Sequence, residues 1–354
     1  MISPTGLMSG AEAVLLRIVH RAVADGWEVT GISPPGPLVD ALGAAGASVV
    51  KIPNLRLPNG ARAIAGLRLI GRTLKAVPAI RSIARRSDVL LVNGIFALPA
   101  LRIARPGKPL AWLVHDVVHR RSWKMITRLS LSPITLAIAV SEAVAEPLRS
   151  LGLTVTVIRN GTPWPVSPNG GSQPAIQVVG CSAMLTSWKG QSVLLDAVAM
   201  LPASVKVELM GGQFPKDAPY VATLHDRAAQ PDLAGRVEFL GHVDDILARM
   251  RTWSVAVSAS INPEAGPLAP LEAMSIGLPV VGTNHGGTTE VIGDAGLLVR
   301  PGDAKAMAVA LARLLDNPTL WRQCHEAGPK AVAGGLTVER QLDSMMAILA
   351  ELAD

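Results

Sequence analysis

A chain of 354 residues, 49% of them hydrophobic and 17% charged, excludes a disordered polymer and is long for a single core, which predicts two α/β domains. The formal net charge of +6 permits attraction to anionic lipid or another polyanion, but no recognition motif accompanies it, so no nucleic acid is expected as a partner. Two widely separated cysteines, Cys181 and Cys324, make no metal or disulfide pattern and fit a reducing, cytoplasmic compartment; no signal peptide is visible, and the apolar runs are too short or too interrupted for a spanning helix.

Residues 1–3 leave room for only a very short first strand, whereas a doubly wound domain calls for several buried residues there. Either that strand is short or the true start lies upstream. Gly6 and Gly10 follow in a loop where a missing Cβ lets backbone approach a ligand closely, although G-x-x-x-G alone is more often a plain turn. Residues 11–25 read as an amphipathic helix ended by Gly26, and 27–32 and 48–52 as strands. A helical stretch over 61–86 is expected to break or kink at Pro78. A buried strand at 88–93, a helix near 98–104 and a strand at 110–114 continue the alternation, which implies a parallel sheet.

His115 and Asp116 follow that last strand directly, at the carboxyl end where open α/β sheets bind ligands. A lone histidine is more often structural, and Asp116 serves equally as a helix cap. Two basic stretches frame this region. One runs from His119 to Arg128, and the other carries Arg62, Arg68, Arg72, Lys75, Arg81, Arg85 and Arg86. Both read as solvated helix faces or as contacts with an anionic membrane surface. A strand at 134–140, a helix capped by Ser141 and a strand at 155–158 lead to residues 162–174, TPWPVSPNGGSQP, a linker by composition.

The second half begins with a strand at 176–181, then Trp188-Lys189-Gly190-Gln191 and an apolar helix. A strand at 205–210 ends in Gly211-Gly212, and another at 237–240 runs into Gly241-His242-Val243. After a strand at 253–260 come two glutamates, Glu264 and Glu272, with Gly266, Pro267 and Pro270 between them. Pro270 suits a first helical position, which places Glu272 in the first turn, and Gly277 ends that helix. A helix N-terminus at a strand's carboxyl end suits a phosphate, and carboxylates beside it take pairs of sugar hydroxyls. The spacing E-x7-E alone describes two ordinary surface acids; the strand–loop–helix–strand setting, with Gly286-Gly287-x-x-Glu290 and GLLVRPGD after it, points to a sugar nucleotide.

These motifs resemble the retaining, family 4 type glycosyltransferases of the GT-B fold (glycosyl transferases group 1). The resemblance covers nearly the whole chain and is most specific over 178–303. It implies an α/β architecture of two Rossmann-like, doubly wound domains facing a central cleft. Residues 1–161 would bind the acceptor, 162–174 link, 175–335 bind the sugar nucleotide, and the helix 336–354 cross back to the first domain. Catalytic residues on this likeness are His115, Glu264 and Lys189, and donor-binding residues are Gly10, Met184, Gly211, His242, Val243, Gly266, Leu268 and Glu272. Lys189 would neutralise the leaving diphosphate, Glu264 hold hydroxyls of the transferred sugar, Glu272 those of the ribose, and His115 orient sugar and phosphate.

Two departures stand out. The family's arginine five residues before the lysine is Met184 here, a loss of about 1.5–3 kcal/mol of charge-assisted phosphate contact. Ala265-Gly266-Pro267-Leu268 lacks the usual phenylalanine, and Pro267 has no N–H, so a backbone clamp would use Gly266 and Leu268. No D-x-D occurs, so transfer without metal or other cofactor is expected. The expected activity is transfer of a sugar from a nucleotide sugar to a natural product, lipid or polysaccharide, with peripheral contact at the inner membrane face. The alternatives are a sugar-nucleotide-binding protein with altered catalysis and a hydrolysing nucleotide-sugar epimerase.

Overall fold

The structure, a computed structural model, describes residues 1–56, 63–117, 121–164 and 170–354, with helix backbone alone at 63–67 and 121–123. Arg62, His119, Arg120 and the middle of the expected linker lie outside the described residues. The chain divides into two compact units, Met1–Arg159 with Arg340–Asp354, and Asn160–Glu339.

In the first unit the strands are β1 (Thr30–Ser33), β2 (Ser48–Lys51), β3 (Leu90–Asn93), β4 (Leu110–Val114), β5 (Leu136–Ala139) and β6 (Val155–Val157). All pairings are parallel, β1 with β2 and β3 through β6 in order. The very short first strand closes the gap between the two sets. Ile2 bridges Ile32 on one side and Val92 on the other, through Ile2 N–H to Leu91 O at 2.8 Å and Asn93 N–H to Ile2 O at 2.8 Å. The winding direction therefore reverses between Ile2 and β3, the kind of switch point where ligands bind.

Two sequence expectations shift here. The strand expected at 27–32 starts only at Thr30, because the Trp27 N–H still caps the preceding helix at Ala22 O, 2.9 Å away. The helix Ala63–Ala84 runs unbroken through Pro78, so of the expected break or kink the break does not occur. An interior proline costs roughly 3 kcal/mol, and the buried neighbours Ala76, Val77 and Ile80 hold the helix against the core in spite of it.

The second unit carries β7 (Val178–Ser182), β8 (Lys206–Met210), β9 (Val237–Gly241), β10 (Val255–Ser258), β11 (Val280–Thr283) and β12 (Gly296–Val299). They form one parallel sheet in the order β12-β11-β10-β7-β8-β9. Strands buried on both faces are expected to be apolar runs, and β7, β10 and β11 are nearly continuous in buried residues. The order reverses between β7 and β10, so the loops after these two neighbours flank the switch point.

A polar network lies inside this unit. Trp253, fully buried, donates its indole N–H to Glu208 Oε2 at 2.7 Å. Arg249 grips both oxygens of Glu208 at 2.7 Å each. Both carboxylate oxygens of Glu208 and the indole N–H are bonded, which stiffens the network. Trp253 also fills the space over Gly180 of β7, where a Cβ would stand 1.8 Å from its ring. At the boundary of the unit, Thr162 pairs with Thr337 in parallel, with Thr162 N–H to Leu336 O at 3.0 Å and Val338 N–H to Thr162 O at 3.1 Å. Both cysteines are free and buried. Among the described residues, no helix is long and apolar enough to cross a membrane.

Candidate active site

Lys189 leaves the 3-10 turn Ser187–Lys189 after β7, and Glu264 lies in the loop after β10. The switch point thus brings together two side chains 75 positions apart, with Lys189 Nζ 2.5 Å from Glu264 Oε2. Neither is fully wet, at 18% and 10% side-chain exposure, so their attraction is less screened than that of a surface pair. The other carboxylate oxygen accepts from Ser260 Oγ and, at 3.3 Å, from Ser258 Oγ. Glu264 is therefore aimed from both ends. Its backbone is fixed as well: Gly287 N–H donates to Glu264 O at 2.7 Å. Gly286 has φ +57, and a Cβ there would meet Glu264 O at 2.4 Å, so only glycine allows this close approach.

The Cys181 thiol behind the pair is pushed up to about 12, by burial first and then by the charges of Lys189 and Glu264, which oppose one another. It stays protonated and takes no nucleophilic part.

The remaining residues of the second unit lie along the same carboxyl edge. Met184 is half-buried, with its sulfur 4.0 Å from where a Cβ of Gly212 would be, and its carbonyl accepts from Gln191 Nε2 at 2.9 Å. Gly211, at φ +146, passes so close that a Cβ would meet Ala183 O at 2.1 Å, and its N–H donates to Gly241 O at 2.7 Å. The ends of β7, β8 and β9 are thereby laced together. His242 is highly exposed, 3.5 Å from Asp244, and Val243 is half-buried. Gly266 presents its carbonyl to Asn160 Nδ2 at 2.8 Å.

One expectation is corrected here. The helix begins at Leu268 with Pro267 as its N-cap, not at Pro270, so Glu272 falls in the second turn. Pro270 is accepted as the third helical residue because the first four N–H groups of a helix have no internal partner. Glu272 remains half-buried on that helix.

In the first unit, His115 follows β4 as expected. The side chain as a whole is half-buried, but its Nε2 is enclosed and has no hydrogen-bond partner among the described residues. Burial pushes its pKa down to about 4, so at neutral pH it is an uncharged imidazole. It can give or take a hydrogen bond but cannot neutralise a phosphate. Gly10 is the exposed first residue of the helix Gly10–Ala24. The glycine packed in that loop is Gly6, where a Cβ would stand 2.4 Å from Pro34 O.

Several residues escaped the sequence reading. Ser258 and Ser260 hold Glu264, and the Ser-x-Ser at a strand end was their only signal. Glu12 is buried, takes a hydrogen bond from Ser9 Oγ and another from Asn93 Nδ2 at 3.3 Å, and is raised in pKa by burial. Ser9-x-x-Glu12 has the form of a capping box, which disguises the contact with Asn93.

Comparison with known proteins gives this geometry a family. A model of glycosyl transferases group 1 matches residues 171–331, and one of glycosyltransferase family 4 matches residues 8–163. A lipopolysaccharide core biosynthesis mannosyltransferase of Rhizobium meliloti is 27% identical over 192 residues, 51% of this chain and 54% of that protein. A glycogen synthase of Mycobacterium tuberculosis is 30% identical over 269 residues, 69% of this chain and 59% of that protein. The matches thus span about half the length of these curated relatives. Among solved structures, HepE of Anabaena in complex with UDP superimposes with a TM-score of 0.84 at 24% identity, over 99% of this chain and 98% of that one. That likeness concerns the fold, which is GT-B. With one model on each half and a shared fold over nearly its whole length, the chain belongs to the group 1, family 4 glycosyltransferases.

Proposed function

We propose that the protein transfers a sugar from a nucleotide sugar to a hydroxyl-bearing acceptor, with retention of configuration and without a metal ion. The observation that supports this most is the Lys189–Glu264 pair at the switch point of the second unit. It offers one cation for a departing diphosphate and one oriented carboxylate for sugar hydroxyls. Stabilising charge on the leaving group is the largest catalytic contribution such a site makes. Glu272 holds the ribose hydroxyls on this reading. His115, uncharged, orients hydroxyls rather than the phosphate.

A thermal-shift screen against UDP, GDP, ADP, dTDP and their common sugars, with and without EDTA, tests the reading. Ligand at 100 times its Kd adds about 2.7 kcal/mol to the folded state. The expected result is a rise in Tm of several degrees for one base, unchanged by EDTA. No shift with any nucleotide sinks the donor assignment and turns attention to Met184. A ligand that shifts Tm but releases no nucleotide in the presence of acceptors favours the binding-protein alternative.

A second reading, contact with an anionic membrane surface, rests on the helices Ala63–Ala84 and Arg121–Leu129. They expose Ile70, Leu74, Met125 and Leu129 and carry Arg68, Arg72, Lys75, Lys124 and Arg128. Apolar side chains beside basic ones suit the lipid interface. Cosedimentation should be seen with vesicles containing phosphatidylserine and be lost at high salt. Equal sedimentation with neutral phosphatidylcholine vesicles would remove the electrostatic argument.

A further inference from the structure

Trp188 is one of only eleven aromatic residues in the chain (seven Trp, three Phe, one Tyr), and it is 37% exposed beside the Lys189–Glu264 pair. The Lys189 ammonium stands 4.4 Å from the centroid of its ring, within the range of a cation–π attraction. The contact is fixed from several sides. Lys189 N–H donates to Thr186 O at 2.9 Å, and Ile261 N–H donates to Trp188 O at 2.7 Å. His285 Nε2, 3.2 Å from Ile261 O, must carry the proton there because a carbonyl only accepts. Two residues on, Gly287 N–H holds Glu264 O at 2.7 Å.

These contacts, with the chain from His285 to Gly287, close a circuit: Trp188, Ile261, His285, Gly287, Glu264, Lys189 and back to the indole face. The ammonium contacts both a carboxylate and an aromatic ring, and only the carboxylate is a group that ligand hydroxyls compete for. On the donor reading above, a bound sugar engages Glu264 and weakens its hold on Lys189. The indole cannot be taken away in that manner.

We propose that Trp188 is a positioning residue for Lys189. Its π-face keeps the ammonium at the anion position once Glu264 turns to ligand hydroxyls, and it therefore sets affinity for the diphosphate. The inference rests on the donor reading for the identity of the anion, and on the observed circuit for the role of the ring.

The test is electronic. Tryptophan carrying one to four fluorines is incorporated at position 188, and Kd for UDP-glucose and GDP-mannose, whose sugar hydroxyls can engage Glu264, is measured by calorimetry without acceptor alongside Lys189→Met. Fluorine withdraws ring charge and leaves the shape nearly unchanged, so a packing role does not respond. Kd for the nucleotide sugar that binds should rise stepwise with fluorine number, by roughly threefold to tenfold across the series. In the Lys189→Met background the series should be flat. Trp188→Phe should retain most of the affinity, and Trp188→Leu should lose about as much as the most fluorinated protein.

A flat series in a protein where Lys189→Met does weaken binding overturns the role of Trp188 and leaves the donor reading standing. If Lys189→Met changes affinity for neither nucleotide sugar, the donor reading and the inference fall together.

Discussion

Glu264→Ala should lower kcat/KM by about 10²–10³-fold with whichever nucleotide sugar the thermal screen selects. The carboxylate holds an ammonium at 2.5 Å and accepts from two serine hydroxyls. On the proposed reading it also holds sugar hydroxyls that must be oriented while the bond to the diphosphate breaks. A hydrogen bond to a charged group contributes about 1.5–3 kcal/mol. Removing this carboxylate takes out its contacts with two sugar hydroxyls, together about 3–4 kcal/mol of barrier, and each 1.36 kcal/mol is tenfold in rate. The loss should fall mainly on kcat, because the sugar must be held in orientation while charge develops on the leaving group. Glu264→Gln keeps an oxygen for Ser260 but offers Lys189 no charge, so its defect should be intermediate. Turnover by the alanine variant at the wild-type rate would refute the assignment.

Gly180→Ala should destabilise the second unit by about 3–5 kcal/mol, more than most single substitutions to alanine. The added methyl would stand 1.8, 2.1 and 2.2 Å from three atoms of the Trp253 ring. Neither side can yield cheaply. Gly180 is paired on both edges, with Ala256 of β10 and Glu208 of β8. Trp253 is fully buried and tied through its N–H to Glu208, which Arg249 grips in turn. Moving the indole breaks that network, and moving the strand shifts the loop that carries Lys189. Overpacking commonly costs 1–3 kcal/mol where neighbours can shift, and here they are held. For a unit of this size each 1 kcal/mol lowers Tm by about 2–4 °C, so calorimetry should show the transition lowered by roughly 10 °C. A transition within a degree of wild type would mean that the indole moves freely.

Much of the fold was legible because parallel strands buried on both faces leave a strong mark, as in Val178–Ser182 and Val280–Thr283. Where two local signals competed, the sequence misled. Pro267 and Pro270 both offer a helix start, and the choice between them falls to tertiary packing, which buries Pro270, Leu271, Ala273 and Met274. Pro78 signalled a break that the buried neighbours around it override.

For the site, the residue types were legible and their mutual engagement was not. Lys189 and Glu264 could be named from their motifs, but their pairing with each other depends on β7 and β10 being neighbours, a long-range fact. Ser258 and Ser260 lacked a distinctive pattern. The uncharged state of His115 comes from burial, which no local spacing encodes.

The backbone pairing of Thr162 with Thr337 has a consequence for how this family can diversify. The chain enters the second unit and leaves it through segments bonded to each other, so residues 160–339 are closed at a single seam. A segment closed in this way is a cassette. It can be lifted from one gene and set into another with two cuts that fall side by side in space, and the hydrogen bonds that fasten it travel inside it. On the proposed reading, recombination can then exchange the donor-binding unit while the residues on either side of the cassette, 1–159 and 340–354, are inherited unchanged.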